Sequence, residues 1–493
     1  MMSALGGQLV ILPSFLCVFL VLLLIKIFHK LWWTPTRLQK LMALQGITGP
    51  PYRLIHGNTK EITDMIKEAM SRPKNLSHDV FSVVQPHIHS WTQIYGKNYL
   101  QWHGSKAQLI VTDPELCKEI LNNKDRAYPK IETPYFDKKL FGDGLLTTTK
   151  PENWAKLRKL ATHAFHGESL KSMTPAMVAS TETMLEKWKS YEGKEIEVFQ
   201  EFRLFSSEVI SRTAFGSNYI EGKTIFETLA KLGVLVFKNS LTIRVPVFSK
   251  FFKTSDEIEA DKLEKGLRVS IMEIVKRREE KAALGRISAD ELFELCKEFY
   301  LVAQETTNAL LAWTVFLLAL HTDWQEEVRK EVVDLFGKHT PNADGIAKLK
   351  TMSMVINESL RLYSPVATII RKTEREVELG KVIVPANLEL IVPNLALHHD
   401  PQIWGEDLQL FKPERFSEGV AKATDNNVGA FIPFGLGLRS CVGMNFTNIE
   451  AKIALSMILQ RYSFTLSPGY VHLPFHYLTV RPKRGIQVML HSL

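Results

Sequence analysis

Apolar residues along this chain recur mostly every three to four positions, and several of the stretches that do so are long. Residues 175–188, 255–280, 290–320 and 324–336 carry that period without an internal proline, which predicts amphipathic helices. A further helix is expected over residues 444–460. Strand-like alternation is short and scattered: residues 99–111, with a glycine near the middle, residues 377–392, and residues 478–490. The pattern predicts a mainly α protein with a small β region assembled from distant segments. No Gly/Ser linker, repeat or low-complexity tract interrupts the chain after residue 60, so residues 53–493 read as one large domain.

Two apolar runs break the amphipathic pattern. The first, residues 9–25, is uncharged and interrupted only by Pro13 and Ser14. With Ile27 and Phe28 added past a snorkelling Lys26, it offers about 20 residues, or roughly 30 Å of helix, enough to span a bilayer. Lys26, Lys30, Arg37 and Lys40 follow on one side only, with Trp32 and Trp33 at headgroup level. That asymmetry places the body in the cytosol. A cleaved secretory signal fits less well, because no basic region precedes the run and no A-x-A site follows it. Residues 1–30 are therefore expected to be a single-pass anchor. Residues 31–52 form a basic, proline-rich linker in which Pro50-Pro51 makes a stiff hinge.

The second run, residues 299–320, is apolar on nearly every face, as in a buried central helix or a membrane span. It contains Ala303-Gln304-Glu305-Thr306-Thr307, and Glu305 would need a partner in lipid. A buried helix is the better reading. An acid beside two hydroxyls there is either functional or a back-bonded threonine next to a salt-bridged glutamate.

Composition adds a few bounds. The net charge of +8 suits an anionic membrane surface or an acidic protein partner. The basic residues are spread along the chain, so no nucleic-acid partner is expected. Cys17, Cys117, Cys296 and Cys441 form no CxxC pair and no zinc-like spacing, which fits free thiols in a reducing compartment.

Candidate chemistry centres on Cys441, within Phe434-Gly435-Leu436-Gly437-Leu438-Arg439-Ser440-Cys441-Val442-Gly443. Glycine-rich backbone turns N–H groups toward an anion, and the positive end of the expected helix after Gly443 points back at the sulfur. Both favour thiolate, the form that ligates a metal. Glu358 and Arg361 lie three apart on one helix face, and Pro413-Glu414-Arg415-Phe416 supplies another arginine. Trp154 and Arg158 lie four apart on a further face. As isolated features, each of these arginines reads equally as an ordinary surface residue.

Taken together and in this order, the segments resemble the cytochrome P450 family, and the resemblance runs over nearly the whole chain. Phe434, Gly437, Arg439, Cys441 and Gly443 match its haem-binding loop. Glu358 and Arg361 match its Glu-x-x-Arg, Arg415 its later arginine, Trp154 and Arg158 its Trp-x-x-x-Arg, and Glu305 and Thr306 its distal acid–alcohol pair. The flavour looks like the microsomal plant clan of hormone-inactivating and terpenoid-oxidising members.

The resemblance implies a P450 fold and haem b, with Cys441 as thiolate ligand to the iron. It implies Trp154, Arg158, Arg371 and Arg439 around the haem propionates, and Glu305 and Thr306 in proton relay. It implies a structural triad of Glu358, Arg361 and Arg415. It further implies a monooxygenase that inserts one atom of O2 into a lipophilic terpenoid, hormone or fatty-acid-like molecule. Electrons would come from NADPH through NADPH–cytochrome P450 reductase, at the endoplasmic reticulum membrane; no flavin- or nicotinamide-binding glycine pattern occurs in the chain.

Val302 and Ala303 depart from the family's usual Ala-Gly and narrow the space expected beside the iron. Two other readings stay open: a haem-thiolate isomerase or dehydratase, and a membrane-anchored haem protein with weak catalysis. Substrate contacts are expected from residues 133–146, 232–252, 366–370 and 475–479, the second also readable as plain core.

Overall fold

The computed structural model describes residues 2–71, 75–242, 253–279 and 288–493. Most of them are helical, and the longest helix, Ala289–Leu320, runs through the middle. Ser288 starts it with a capping box, its hydroxyl accepting the Glu291 N–H while the Glu291 carboxylate accepts the Ser288 N–H. Every residue from Ala309 to Ala319 is buried, which explains a sequence without a polar face. The helix is long and apolar enough to cross a membrane, but it is wrapped by protein. It packs most extensively on Val198–Phe215 and also meets Lys350–Leu362 and Met444–Leu459.

The helix expected from residue 175 begins earlier, at Gly167, and carries Pro175 inside it. Leu170, Thr174, Met177, Thr181, Met184 and Trp188 form one buried stripe at helical spacing on both sides of the proline. That burial offsets the hydrogen bond the proline cannot make. The expected helices at 255–280 and 324–336 are Ser255–Glu279 and Thr322–Phe336, with residue 280 outside the described residues.

Among the described residues the strands are β1 (Asn98–His103), β2 (Lys106–Val111), β3 (Glu195–Glu197), β4 (Thr368–Lys372), β5 (Val377–Leu379) and β6 (Val382–Val384). They continue with β7 (Glu389–Pro393), β8 (Tyr462–Leu466), β9 (Pro474–His476), β10 (Val480–Pro482) and β11 (Gln487–Ser492). The main sheet has the order β1-β2-β7-β4, with β2 and β7 parallel and the other pairs antiparallel. Residues 99–111 are thus a hairpin, turning at Gly104 with φ of +59°, a conformation open to glycine. The other sheets are β3-β11-β8, β9-β10 and β5-β6. The larger hydrophobic core surrounds the central helix. A second lies under the main sheet and joins Leu109 and Leu390 to Leu121 and Ile432, beneath the cysteine-bearing loop.

At the N-terminus the helix Met2–Phe28 continues through a π-helical turn, His29–Trp33, into Thr34–Ala43. Residues 15–28 are exposed. The segment read as a linker is therefore helical over Thr34–Ala43 and tied to the body. The Tyr52 hydroxyl donates to the Leu31 carbonyl at 2.5 Å and the Tyr52 N–H to Gln39 at 3.1 Å. The Gln45 amide exchanges hydrogen bonds of 3.1 and 2.7 Å with the Ile383 backbone.

Candidate active site

The loop before the helix Met444–Leu459 folds back on itself, the Cys441 N–H donating to the Phe434 carbonyl at 2.8 Å. Gly435 and Gly437 both take φ of +72°. At Gly437 a Cβ would lie 2.5 Å from the Leu121 carbonyl oxygen, so the loop's seat on the second core demands glycine there. Phe434 packs against the larger core. Cys441 retains accessible surface, yet protein crowds it enough for burial to push its thiol up; the Gly443 N–H and the Arg158 guanidinium act in the opposite direction. The other buried cysteines lack such help: burial pushes Cys296 up to about 12 and Cys117 further still.

Arg158 stands on the helix Pro151–Ala164 and donates to the Ser440 carbonyl at 2.5 Å. Arg439 donates to the Thr148 carbonyl at 3.2 Å, its guanidinium lying 4.9 Å from the centre of the Trp154 ring. Arg371, on β4, is 5% exposed and donates to the carbonyl of its neighbour Ile370. Lys130, which sequence reasoning missed, donates to the Leu146 carbonyl and is influenced by the charges of Arg371 and Arg439. Burial lowers Arg371 and Arg439 to about 10 and Lys130 to about 7.

Among the described residues none of these four cations has a carboxylate within ion-pair distance, so the cluster suits an anionic group that the chain does not itself supply. Gly443 points the same way. Its φ is negative at −93° and, among the described residues, no atom lies within 4 Å of where its Cβ would stand, so the fold they form has no need of glycine there. A crowded thiol that the Gly443 N–H and Arg158 pull toward its thiolate, a cationic set without carboxylate partners among the described residues and a cleared backbone position together fit haem carrying two propionates, with Cys441 as iron ligand.

On the central helix, the Thr306 hydroxyl donates back to the Val302 carbonyl at 2.8 Å, and the helix runs unbroken through residues 302–307. Glu305 makes no ion pair among the described residues, and its Oε2 has no hydrogen-bond partner. Burial raises its carboxyl, against the weaker pull of Arg481 and Arg203. Only half of the back-bonded, salt-bridged alternative is therefore present. Glu358 and Arg361 are fully buried and joined by two bonds of 2.7 Å. Arg415 Nε approaches Glu358 to 3.6 Å while its Nη2 donates to Asp407 at 2.6 Å.

Of the segments expected to meet substrate, residues 133–146 hold the helix Tyr135–Phe141, and residues 366–370 lead into β4. Phe237, at the end of the helix Tyr219–Asn239, stacks edge-on against Phe475 at 6.1 Å and lies 5.2 Å from Tyr477. This brings the second and fourth segments together, although residues 243–252 lie outside the described residues.

The family model for cytochrome P450 matches residues 80–490. A cytochrome P450 of Panax ginseng, CYP749A22, is 54% identical over 97% of this chain and 96% of its own length. The 7-deoxyloganic acid hydroxylase of Catharanthus roseus is 38% identical, covering 95% and 96% of the two chains. The 11-oxo-beta-amyrin 30-oxidase of Glycyrrhiza uralensis is 39% identical over 94% of each. The crystal structure of a mutant cytochrome P450 haem domain superposes with a TM-score of 0.74 at 22% identity, covering 84% of this chain and 93% of that one, which shows the shared fold. The chain belongs to the cytochrome P450 family and is a haem-thiolate monooxygenase.

Proposed function

We propose that this protein oxidises a lipophilic terpenoid at the cytosolic face of the endoplasmic reticulum membrane, with electrons delivered by NADPH–cytochrome P450 reductase. The arrangement around Cys441 carries the reading: a crowded thiol with the Gly443 N–H and Arg158 working toward its thiolate. Two relatives support the substrate class, their names describing oxidation of 7-deoxyloganic acid and 11-oxo-beta-amyrin, both terpenoids. The exposed helix at the N-terminus, followed by cations on one side, supports the membrane and its sidedness.

Haem bound in this cradle would supply the reductive activation of O2, one atom of which enters a C–H bond while the other leaves as water. The chain's own residues do the rest. Arg158, Arg371 and Arg439, with the Trp154 ring against Arg439, hold and orient the propionates. Glu305, its carboxyl raised by burial, keeps a proton available in the apolar helix, and the Thr306 hydroxyl next to it passes protons on. Glu358, Arg361 and Arg415 hold the segments around residues 398–412 to the helix Lys350–Leu362. Residues 53–493 act as the catalytic domain behind an anchor at 1–30 and a connecting segment at 31–52.

The test is to express the full chain with plant reductase in microsomes and supply a panel of terpenoid acids and alcohols. A product heavier by one oxygen, formed only with NADPH, is expected. The reduced, carbon-monoxide-treated protein should show a thiolate-type Soret band that Cys441→Ala abolishes. Product formed without NADPH, or a band indifferent to Cys441→Ala, refutes the proposal.

A further inference from the structure

Glu298 is a second buried acid on the central helix, 3% exposed and about 12 Å along the axis from Thr306. Both of its carboxylate oxygens accept the Leu146 N–H, at 2.9 and 3.0 Å, and the Thr147 hydroxyl reaches it at 3.4 Å. A Cβ on Gly144 would stand 2.6 Å from this carboxylate, so the backbone comes that close only because residue 144 is glycine. One turn earlier, Glu294 accepts the Asp143 N–H at 3.1 Å. The other side of the same segment is held by cations: Lys130 donates to the Leu146 carbonyl and Arg439 to the Thr148 carbonyl. Leu146 thus has both backbone groups engaged by charged side chains from different parts of the chain.

A buried carboxylate is expensive in an apolar helix, and burial pushes this one up to about 7 against the Leu146 amide and Lys130. Leucine would fill the space without that cost but would leave the Leu146 N–H unpaired. The acid is therefore informative about what the segment needs, which is a fixed backbone.

We propose that Glu298 is a positioning residue: with Glu294 it fastens residues 142–148 against the central helix and so fixes one wall of the substrate chamber, while Lys130 and Arg439 tie the same segment to the haem cradle. The substrate-wall part rests on the proposed oxidation of a lipophilic substrate and on the expectation that residues 133–146 meet it; the fastening part does not. The consequence is selective. Loosening the segment alters the fit of large ligands and leaves access to the iron unchanged.

The experiment uses the haem-loaded full chain and two probes titrated by the Soret shift: imidazole, which reports the iron alone, and the bulky azole clotrimazole, which also presses on the chamber walls. In Glu298→Leu, hydrogen exchange at residues 144–148 should quicken at least tenfold and clotrimazole bind about fivefold more weakly. Imidazole affinity and the carbon-monoxide band should stay as in the parent. Glu298→Gln, which keeps an acceptor oxygen, should restore both exchange and clotrimazole binding to within twofold. Gly144→Ala applies the same disturbance from the loop side and should quicken exchange too, which covers the case of a Glu298→Leu chain that does not fold. Unchanged exchange in the variants overturns the fastening. Faster exchange with unchanged clotrimazole affinity, or equal weakening of both azoles, overturns the chamber wall. A parent protein lacking the thiolate band would instead overturn the haem-thiolate reading and leave the exchange result standing.

Discussion

Arg361 meets Glu358 through two parallel hydrogen bonds of 2.7 Å, and neither side chain retains any solvent exposure. The remaining capacity of the carboxylate is used by the Lys412 N–H at 3.0 Å. The guanidinium also reaches the His398 and Leu410 carbonyls and faces the Trp404 ring at 5.2 Å. The pair therefore pins the segments around residues 398, 404 and 410 to one helix.

Removing one member strands the other as a buried charge. Glu358→Ala should lower stability by about 3–5 kcal/mol, read as the denaturant midpoint of the holoprotein. Arg415→Ala should cost visibly less, because Arg415 spends its closer bonds on Trp404 and Asp407. Equal losses would mean that the three residues act as a single unit.

The glycines of the cysteine loop are expected to separate. Gly437→Ala meets the Leu121 carbonyl at 2.5 Å and a φ of +72°, and should lose about 1–3 kcal/mol with or without haem. Gly443→Ala meets no atom of the described residues within 4 Å. It should leave the haem-free protein's thermal unfolding unchanged and reduce haem loading, measured as the Soret-to-280-nm absorbance ratio.

Acid should destabilise the fold through a buried histidine–tyrosine chain. His78 bonds the Tyr363 hydroxyl at 2.9 Å, and Tyr470 bonds His472 at 2.9 Å. Burial, chiefly, holds His472 and His399 near 4 and His78 near 3, against an ordinary 6.5. Between those values the unfolded chain takes up protons that the folded one refuses, so stability falls as pH drops from 6.5 toward 4. Denaturant midpoints across that window should slope downward toward acid, and His472→Gln should flatten the slope.

The distal pair should govern coupling and leave binding alone. Glu305→Gln cannot release a proton, and the rate of product formation should drop on the order of a hundredfold. NADPH consumption should persist as peroxide, measured beside product in the same reaction. A proportional loss of both would place Glu305 in the scaffold.

Spacing alone made several features legible. The membrane-length run at residues 9–25, the long helices and the glycine turns beside Cys441 follow from local periodicity and local backbone needs, which one stretch of chain displays in full. The early start at Gly167 was hidden because Pro175 reads as a boundary until tertiary burial of Leu170 and Thr174 is known. Likewise the linker's proline content gave no hint of the Tyr52–Leu31 and Gln45–Ile383 ties, since one of these joins residues 338 apart. Lys130 and Glu298 carry no local signature at all. Their roles exist only where folding desolvates a charge and brings distant carbonyls and amides to it, and burial and proximity are properties of the packed chain that no single segment encodes.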